Sequence, residues 1–449
     1  MIRGDLTKLS AVQAARAIRE GELMSQALVA ACLEQIGKTE PQIKAWAHLD
    51  PDQAMAQAAE ADRIRKSGKG TGALHGVPVG LKDIIDTADM PTRRGTAIFE
   101  HHAPEMDATI VERLREAGAV IMGKTKTTEL AFVHPTDTTN PFDAARTPGG
   151  SSSGSAAAVA AHHVPLAIGT QTNGSVIRPA SFCGTFGFKP TRGMISRHGV
   201  LQTSFSLDQL GLFARSIEDA ALLGDAIASY DGRDRLSLAR PRPDLMSGAT
   251  ADVPVEPDIA WFELPFNDRL DPDARDGLDA VIEALGPRIE RFDASEQLSG
   301  LVQVQATIHE YEFCHHLDYV IKRYGDQLSD TLRAVIARAQ TITRSEYEDA
   351  MAVKTSADSF FAAHFNDFDA IMAPSAAGQA PLISTGTTGD PVFCTLWTVA
   401  GLPTLSLPLL VGDNDLPIGV QLIGGVEEDD RLLRTAAWVQ THLSALTQD

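Results

Sequence analysis

The feature that most constrains the fold is the alternation of amphipathic helices with short apolar segments. A helical pattern from Asp107 to Gly118 is followed at once by the apolar segment 119–122. Further apolar segments of strand length occur at 370–373, 404–410 and 418–423. Helix patterns that alternate with buried strands are typical of layered α/β folds. The sequence therefore predicts an α/β protein.

The pattern of apolar and polar residues changes along the chain, but the sequence contains no internal repeat and no low-complexity linker. Residues 231–300 are rich in Asp, Arg and Pro, and we expect surface connections there around a strand at Ile259–Phe262. We predict one large domain over residues 1–449. Its parts are a helical N-terminal part (1–70), a core (76–230), a variable helical region (300–365) and a C-terminal α/β part (366–449).

Charge and composition exclude several classes of function. The 449 residues are 43% hydrophobic and carry a net charge of −20, which argues against a broad nucleic-acid or anionic-membrane surface. No signal peptide and no apolar stretch near 18 residues is present, so we expect no membrane association. The four cysteines lack a CxxC pair, which fits reduced thiols in a cytoplasmic protein and offers no metal site.

A run of Gly and Ser at 149–155 is the densest chemical signal. A flexible linker is the usual interpretation, but strand and helix patterns lie close on both sides, which places the run inside a packed domain. Gly150 to Gly154 formally matches GxSxG, which would make Ser152 the nucleophile of an α/β-hydrolase-type esterase. The preceding residues make a poor strand, and none of the downstream histidines has a local triad signature. These are His309, His315, His316 and His364.

Two further signals concern Ser175 and Lys82. Ser175 follows a Gly/Asn turn, where consecutive backbone N–H groups can converge on one point and form an oxyanion hole. Lys82 ends a predicted strand next to Asp83, and an isolated lysine there would usually pair with a nearby acid. Burial would instead lower its pKa from about 10.4 towards 7 and make it a base. A second serine would then relay the proton to a distant nucleophile.

Taken together and in this order, these motifs resemble the amidase signature family of serine hydrolases. The similarity extends over nearly the whole chain. The matching segments are 76–83, 123–131, 149–155, 174–180, 183–191, 206–211, 400–403 and 417–423.

The resemblance implies an α/β/α sandwich with a central mixed β-sheet and the family's Ser–cis-Ser–Lys catalytic set. By position, the lysine is Lys82, the relay serine is Ser151 and the nucleophile is Ser175, which lies 24 residues after Ser151. The family's cis peptide bond is expected between Gly150 and Ser151. Backbone N–H groups around Thr172, Asn173 and Gly174 would form the oxyanion hole, and Ser152 would be a supporting hydrogen-bonding residue. No cofactor and no metal is implied.

The chain departs from the common family pattern beside the proposed nucleophile. Gln171 stands where an acid is usual, Arg178 lies one place later than the usual arginine, and Ser153 replaces a glycine. We hypothesise that an ion pair of the family is replaced here by a neutral contact. An acid paired with Arg178 would contradict that hypothesis.

The resemblance implies hydrolysis of the C–N bond of a small-molecule amide through a serine acyl-enzyme. Esters, anilides or carbamates (a urethanase activity) are open to the same acyl transfer. The alternatives are a glutamine-hydrolysing A-type subunit of a tRNA-dependent amidotransferase, the esterase that uses Ser152, and a non-catalytic scaffold. We expect a monomer or homodimer. The resemblance also implies that variable regions form the substrate pocket, here the helical region 300–365 and the loop Gly378–Phe393, which is a candidate lid. Candidate pocket aromatics are Phe205, Tyr311, Phe313 and Trp397.

Overall fold

The computed structural model describes residues 4–241 and 244–446. An 11-stranded sheet runs through this part of the chain. Its strands are Trp46–Leu49 (β1), Pro78–Lys82 (β2), Val120–Thr125 (β3), Leu166–Gln171 (β4), Phe186–Lys189 (β5), Gln209–Ala214 (β6), Ile259–Glu263 (β7), Ile289–Asp293 (β8), Ala370–Pro374 (β9), Thr404–Val411 (β10) and Pro417–Ile423 (β11).

Helices flank the sheet. They are Ala11–Glu20 (α1), Ser25–Ile43 (α2), Pro51–Lys66 (α3), Thr109–Glu116 (α4), Ser153–Ala160 (α5), Ile177–Phe182 (α6), Ile217–Ile227 (α7), Leu245–Thr250 (α8), Pro272–Leu285 (α9), Ser295–Leu298 (α10), Leu301–His316 (α11), Asp318–Tyr324 (α12), Asp330–Ala339 (α13), Arg344–His364 (α14), Val392–Ala400 (α15) and Asp429–Leu446 (α16).

The sheet is mixed, as the resemblance implies. The strand order is β1-β3-β2-β4-β6-β5-β10-β11-β9-β7-β8. Strand β2 pairs in parallel with both β3 and β4, and β7 pairs in parallel with β8 and β9. The strands between these two groups are antiparallel. The predicted α/β fold with a central mixed sheet is therefore confirmed.

Local sequence signals explain where several helices begin. Ser10 accepts a hydrogen bond from the Gln13 N–H, and the Gln13 side chain accepts one from the Ser10 N–H, which forms a capping box at the start of α1. Asp50 accepts the Gln53 N–H at the start of α3, where Pro51 occupies the first turn.

The prediction for residues 231–300 is wrong in part. Helices α8, α9 and α10 and strand β8 lie there, in addition to the predicted strand that forms β7. The buried face of α9 carries Ala274, Leu278 and Leu285 at helical spacing, while its exposed face carries Arg275, Asp276 and Asp279. The N-terminal part is not wholly helical either, because β1 pairs antiparallel with β3. The four residues of that strand do not alternate between apolar and polar, so the sequence shows no period of two.

Parallel pairing fixes the place where chemistry can occur. Because β2 and β4 run in the same direction, their carboxyl ends lie at the same edge of the sheet. Leu81 lies opposite Ile168, so Lys82 at the end of β2 is next to Thr170 near the end of β4. Helix α5 packs on β2, β3 and β4, which brings the Gly/Ser run just before it to the same edge.

The four cysteines are all free: Cys32, Cys183 and Cys394 are buried and Cys314 is half-buried. Within residues 4–241 and 244–446, no group of three or more His, Cys, Asp or Glu side chains is arranged to hold a metal ion. No helix in the same ranges is long and apolar enough to span a membrane.

Candidate active site

Lys82 contacts two hydroxyl groups at the carboxyl edge of β2 and β4. Its Nζ atom donates hydrogen bonds to Oγ of Ser151 and to Oγ1 of Thr170, each at 2.7 Å. The lysine has 0% solvent exposure. Burial holds the pKa of Lys82 well below its usual range, although the charge of Asp208 acts in the opposite direction. The site therefore favours a neutral amine that can take a proton from Ser151.

The neighbouring acids are engaged elsewhere, which explains how an acidic chain shelters this lysine. Asp208 accepts the Thr172 hydroxyl at 2.6 Å and the Thr203 N–H at 2.6 Å, and burial raises its pKa. Asp83 accepts the Arg93 N–H at 3.0 Å, and burial raises its pKa to about 6. Asp83, although next to Lys82 in sequence, is not its partner.

The Gly/Ser run holds Ser151 against the lysine. The peptide bond between Gly150 and Ser151 is cis, as the resemblance implies. Gly149 has φ +85°, and a Cβ atom there would lie 2.9 Å from Cα of Pro179. The run therefore requires glycine at position 149 both for its backbone conformation and for its close approach to α6. The Thr128 N–H donates to the Ser151 carbonyl at 3.2 Å and so holds the backbone of the run just after the cis peptide bond.

Ser152 is buried with 0% exposure and connects the run to the sheet. Its hydroxyl donates to the Thr170 carbonyl at 3.2 Å and accepts the Thr170 N–H at 3.3 Å. Ser153 donates to the Gly149 carbonyl at 2.7 Å, which gives this serine a structural use where the family has glycine. These three hydrogen bonds hold the run in place, as expected for supporting residues, and Ser152 does not line the cavity described below.

Ser175 lines a cavity of about 590 Å³. The cavity lies between residues 131–133, the loop 172–175, helix α11 and the loop 387–391. In the described ranges, the Ser175 hydroxyl makes no hydrogen bond to another residue. The transfer from Ser151 to Ser175 is therefore a prediction about the reacting complex rather than a contact of this structure.

Backbone N–H groups beside Ser175 are free to bind an oxyanion. In the part of the chain that the structure describes, the N–H groups of Asn173, Gly174 and Ser175 have no hydrogen-bond acceptor. A Cβ atom on Gly174 would lie 2.9 Å from the Pro391 ring, so this loop packs tightly against the 387–391 side of the cavity. Unpaired N–H groups at a concave surface are the donors from which oxyanion holes are built.

Gln171 provides the neutral contact that the sequence hypothesis requires. Its Oε1 atom accepts the Val176 N–H at 2.8 Å and the Ile177 N–H at 3.0 Å. Its Nε2 atom donates to the Thr398 hydroxyl at 2.9 Å. A carboxylate could accept the same two N–H groups, so the amide replaces an acid without leaving them unpaired.

Arg178 binds oxygen atoms of neutral groups. Its Nη2 atom donates to the Gly150 carbonyl at 2.5 Å and to the Thr388 hydroxyl at 3.1 Å, and its Nε atom donates to the Thr388 carbonyl at 2.9 Å. Among residues 4–241 and 244–446, no acid forms an ion pair with it. Arg178 thus connects the cis peptide to the loop 387–391, which is part of the candidate lid.

The aromatic residues of the cavity differ from those proposed from sequence. Phe313 and Trp397 are buried in the core, Phe205 lies against Arg197, and Tyr311 stacks on Tyr347 with 4.4 Å between ring centroids. None of the four lines the cavity.

Phe132 and His309 line the cavity instead, with 4.5 Å between their ring centroids. Burial lowers the pKa of His309 to about 3, so its ring is uncharged at neutral pH. Phe132 directly follows the matching segment 123–131, and this position was the only sequence signal for it.

Comparison with known proteins decides the family. The family profile described as Amidase matches residues 27–433. The chain belongs to the amidase family. It is 35% identical to the A-type subunit of glutamyl-tRNA(Gln) amidotransferase from Microcystis aeruginosa, over 90% of this chain and 91% of that protein.

Solved structures of the family have the same fold. A chain from a vestigial protein complex that reveals the evolutionary origins of an s-triazine catabolic enzyme superposes with TM-score 0.89 at 28% identity, over 96% of this chain and 98% of that chain. Native peptide amidase from Stenotrophomonas maltophilia superposes with TM-score 0.82 at 28% identity, over 97% and 96%. The protein is accordingly a hydrolase of the amidase signature type.

Proposed function

We propose that this amidase-family protein hydrolyses the C–N bond of a small-molecule amide with Ser175 as nucleophile, Ser151 as relay and Lys82 as base. The observation that carries the proposal is the 2.7 Å contact between the buried amine of Lys82 and the Ser151 hydroxyl. A lysine is a useful base only when its neutral form is stabilised, and burial does so here.

The reaction proceeds in two acyl transfers. Neutral Lys82 takes the proton of Ser151, Ser151 takes the proton of Ser175, and Oγ of Ser175 forms a bond to the substrate carbonyl carbon. N–H groups of the 172–175 loop donate to the oxyanion, each worth roughly 3–4 kcal/mol in comparable sites. The relay returns the proton to the leaving nitrogen as the C–N bond breaks. Water then gives a proton to the relay as its oxygen bonds to the carbonyl carbon of the acyl-enzyme ester. The bond from that carbon to Oγ of Ser175 breaks, the relay passes the proton to Oγ, and the carboxylic acid leaves.

The charges around the cavity support an uncharged substrate. Arg338 is held by the carboxylate of Glu310, and Asp390 is held by Arg269 at 2.8 Å. Arg178 is occupied by carbonyl and hydroxyl oxygens. Arg178 is the one charged side chain of the wall without an oppositely charged partner in the described ranges, and the carboxylate of a free amino acid would have to compete with these oxygens for it. We therefore favour a neutral amide, with anilides, esters and carbamates as chemically related substrates.

A second candidate function is the hydrolysis of glutamine as an A-type subunit of a tRNA-dependent amidotransferase. It is favoured by the 35% identity to the A-type subunit of glutamyl-tRNA(Gln) amidotransferase from Microcystis aeruginosa. In that case the charged end of glutamine would bind either Arg178, in competition with its oxygen partners, or Arg338 after that residue separates from Glu310.

A hydrolysis screen distinguishes the two functions. The purified chain is incubated with neutral amides, anilides, esters and carbamates and, in parallel, with glutamine, and released amine, alcohol or ammonia is measured. The variant Ser175→Ala sets the background. We expect turnover of at least one neutral substrate class and no glutaminase activity above background. Glutaminase activity alone, or activity that requires a further protein, would reverse the ranking.

A further inference from the structure

We infer that Gln305 is a positioning residue for the oxyanion hole, an inference that rests on the proposed function. Gln305 lies on helix α11, is 3% exposed and lines the cavity beside Ser175. Its Nε2 atom donates to the Thr172 carbonyl at 3.1 Å, and its Oε1 atom accepts from Nδ2 of Asn173 at 3.1 Å. One side chain therefore holds both the backbone and a side chain of the loop.

The contact with the Thr172 carbonyl determines where the next N–H points. In a trans peptide the C=O of one residue and the N–H of the following residue point in opposite directions. The only cis bond in the described ranges is the one between Gly150 and Ser151. Gln305 therefore turns the Thr172 carbonyl towards α11 and, through the rigid peptide plane, turns the Asn173 N–H away from it.

Helix α15 fixes the next peptide in the same way. The Thr398 hydroxyl donates to the Asn173 carbonyl at 2.5 Å, which sets the direction of the Gly174 N–H. The Thr395 hydroxyl donates to Oδ1 of Asn173 at 2.6 Å, so the Asn173 side chain is held at both ends. Two successive N–H groups, neither with an acceptor in the described ranges, are thus aimed by side chains from α11 and α15.

Gln305 contacts the loop 172–175 (the oxyanion loop) from a distant part of the sequence. It lies more than 130 residues from the loop that it holds. The same helix carries His309 and Glu310 into the cavity wall. Helix α11 therefore contributes to both the substrate pocket and the oxyanion donors, and Gln305 is the residue through which it reaches the donors.

The test replaces Gln305 with methionine, which has similar length and makes neither hydrogen bond. Gln303→Met is the matched control, because Gln303 is exposed on the same helix and its side chain forms a hydrogen bond only to the Thr307 hydroxyl among the described residues. The first readout is the rate of covalent labelling by a fluorophosphonate, whose phosphoryl oxygen needs the oxyanion hole. The second is the separate measurement of kcat and KM with a substrate from the screen. Circular dichroism establishes that both variants are folded at the assay temperature.

We expect Gln305→Met to lower both kcat and the labelling rate by about 10- to 100-fold with KM within about twofold, because misplaced donors weaken transition-state binding alone. Gln303→Met should stay within about twofold of the unsubstituted chain in every readout. A labelling rate for Gln305→Met equal to that of Gln303→Met would overturn the inference. So would a change confined to KM, which would make Gln305 a substrate contact.

Failure of the inference is distinguishable from failure of the proposed function. If Ser175→Ala is labelled as fast as the unsubstituted chain, the proposed nucleophile is wrong and the inference falls with it. If labelling depends on Ser175 but not on Gln305, only the positioning role is rejected.

Discussion

The Nζ atom of Lys82 lies 2.7 Å from Oγ of Ser151, although 69 positions separate the two residues in the sequence. The contact exists because β2 ends at the sheet edge where the turn before α5 begins. Full burial of the lysine then shifts its protonation equilibrium towards the neutral amine. Proton transfer in the proposed reaction depends on this pair.

The pH dependence of activity should report the lowered pKa of Lys82. We expect kcat/KM to rise with pH as the lysine loses its proton and to reach its plateau well below pH 10.4, the ordinary lysine value. Lys82→Arg should be inactive at every pH, because the guanidinium stays protonated. The measurement is a pH–rate profile of both proteins. An active Lys82→Arg variant would show that another group is the base.

The same pKa shift should appear in stability. Because the folded-state pKa of Lys82 is lower than the unfolded one, the unfolded chain binds more protons between the two values, and stability rises with pH in that window. Relative to Lys82→Met, the unsubstituted chain should gain up to about 1.4 kcal/mol per pH unit there. Urea unfolding of both proteins between pH 7 and 10 measures this gain. Parallel stability curves would contradict a neutral buried lysine.

Replacing Gln171 tests the neutral contact beside the nucleophile. Gln171→Leu leaves the N–H groups of Val176 and Ile177 unpaired in a buried position, which costs about 1–3 kcal/mol for each group. Gln171→Glu keeps an acceptor for both and should lose less stability. Urea unfolding gives the two free energies of unfolding. If the leucine variant were as stable as the glutamate variant, the two bonds would contribute nothing.

Arg178 should hold the Gly/Ser run, which carries Ser151, in a fixed position relative to the candidate lid. Arg178→Met removes the donors to Gly150 and Thr388. We expect kcat/KM to fall by about 100-fold because Ser151 is then no longer held in position. Arg269→Met is the control, since Arg269 is exposed and forms an ion pair with Asp390 of the same lid. Steady-state kinetics with one neutral amide compares them. Equal effects of the two substitutions would mean that Arg178 acts only on the lid.

Sequence patterns predicted those parts of the fold and site that are encoded locally. The end of β2 at Lys82, the helix after Ser152 and the mixed sheet follow from turn residues, apolar segments and the family resemblance. Strand β8 was missed because three of its five residues are charged, so it shows no apolar segment.

The contacts that complete the site were not predictable in this way. Gln305 and Thr398 reach the oxyanion loop from helices more than 130 positions away. The sequence patterns of α11 and α15 predict that both residues lie on helices but do not indicate which residues they contact. Tertiary packing selects which buried polar side chains meet, and single-sequence periodicity carries no information about such pairs.

Identification of the covalently modified residue tests the role of Ser175 most directly. The protein is labelled with a fluorophosphonate, digested, and the adduct is mapped by mass spectrometry in the unsubstituted chain, Ser175→Ala and Ser152→Ala. We predict an adduct on Ser175 in the first and third proteins and none in the second. An adduct on Ser152, or undiminished labelling of Ser175→Ala, would contradict the assignment of Ser175 as nucleophile.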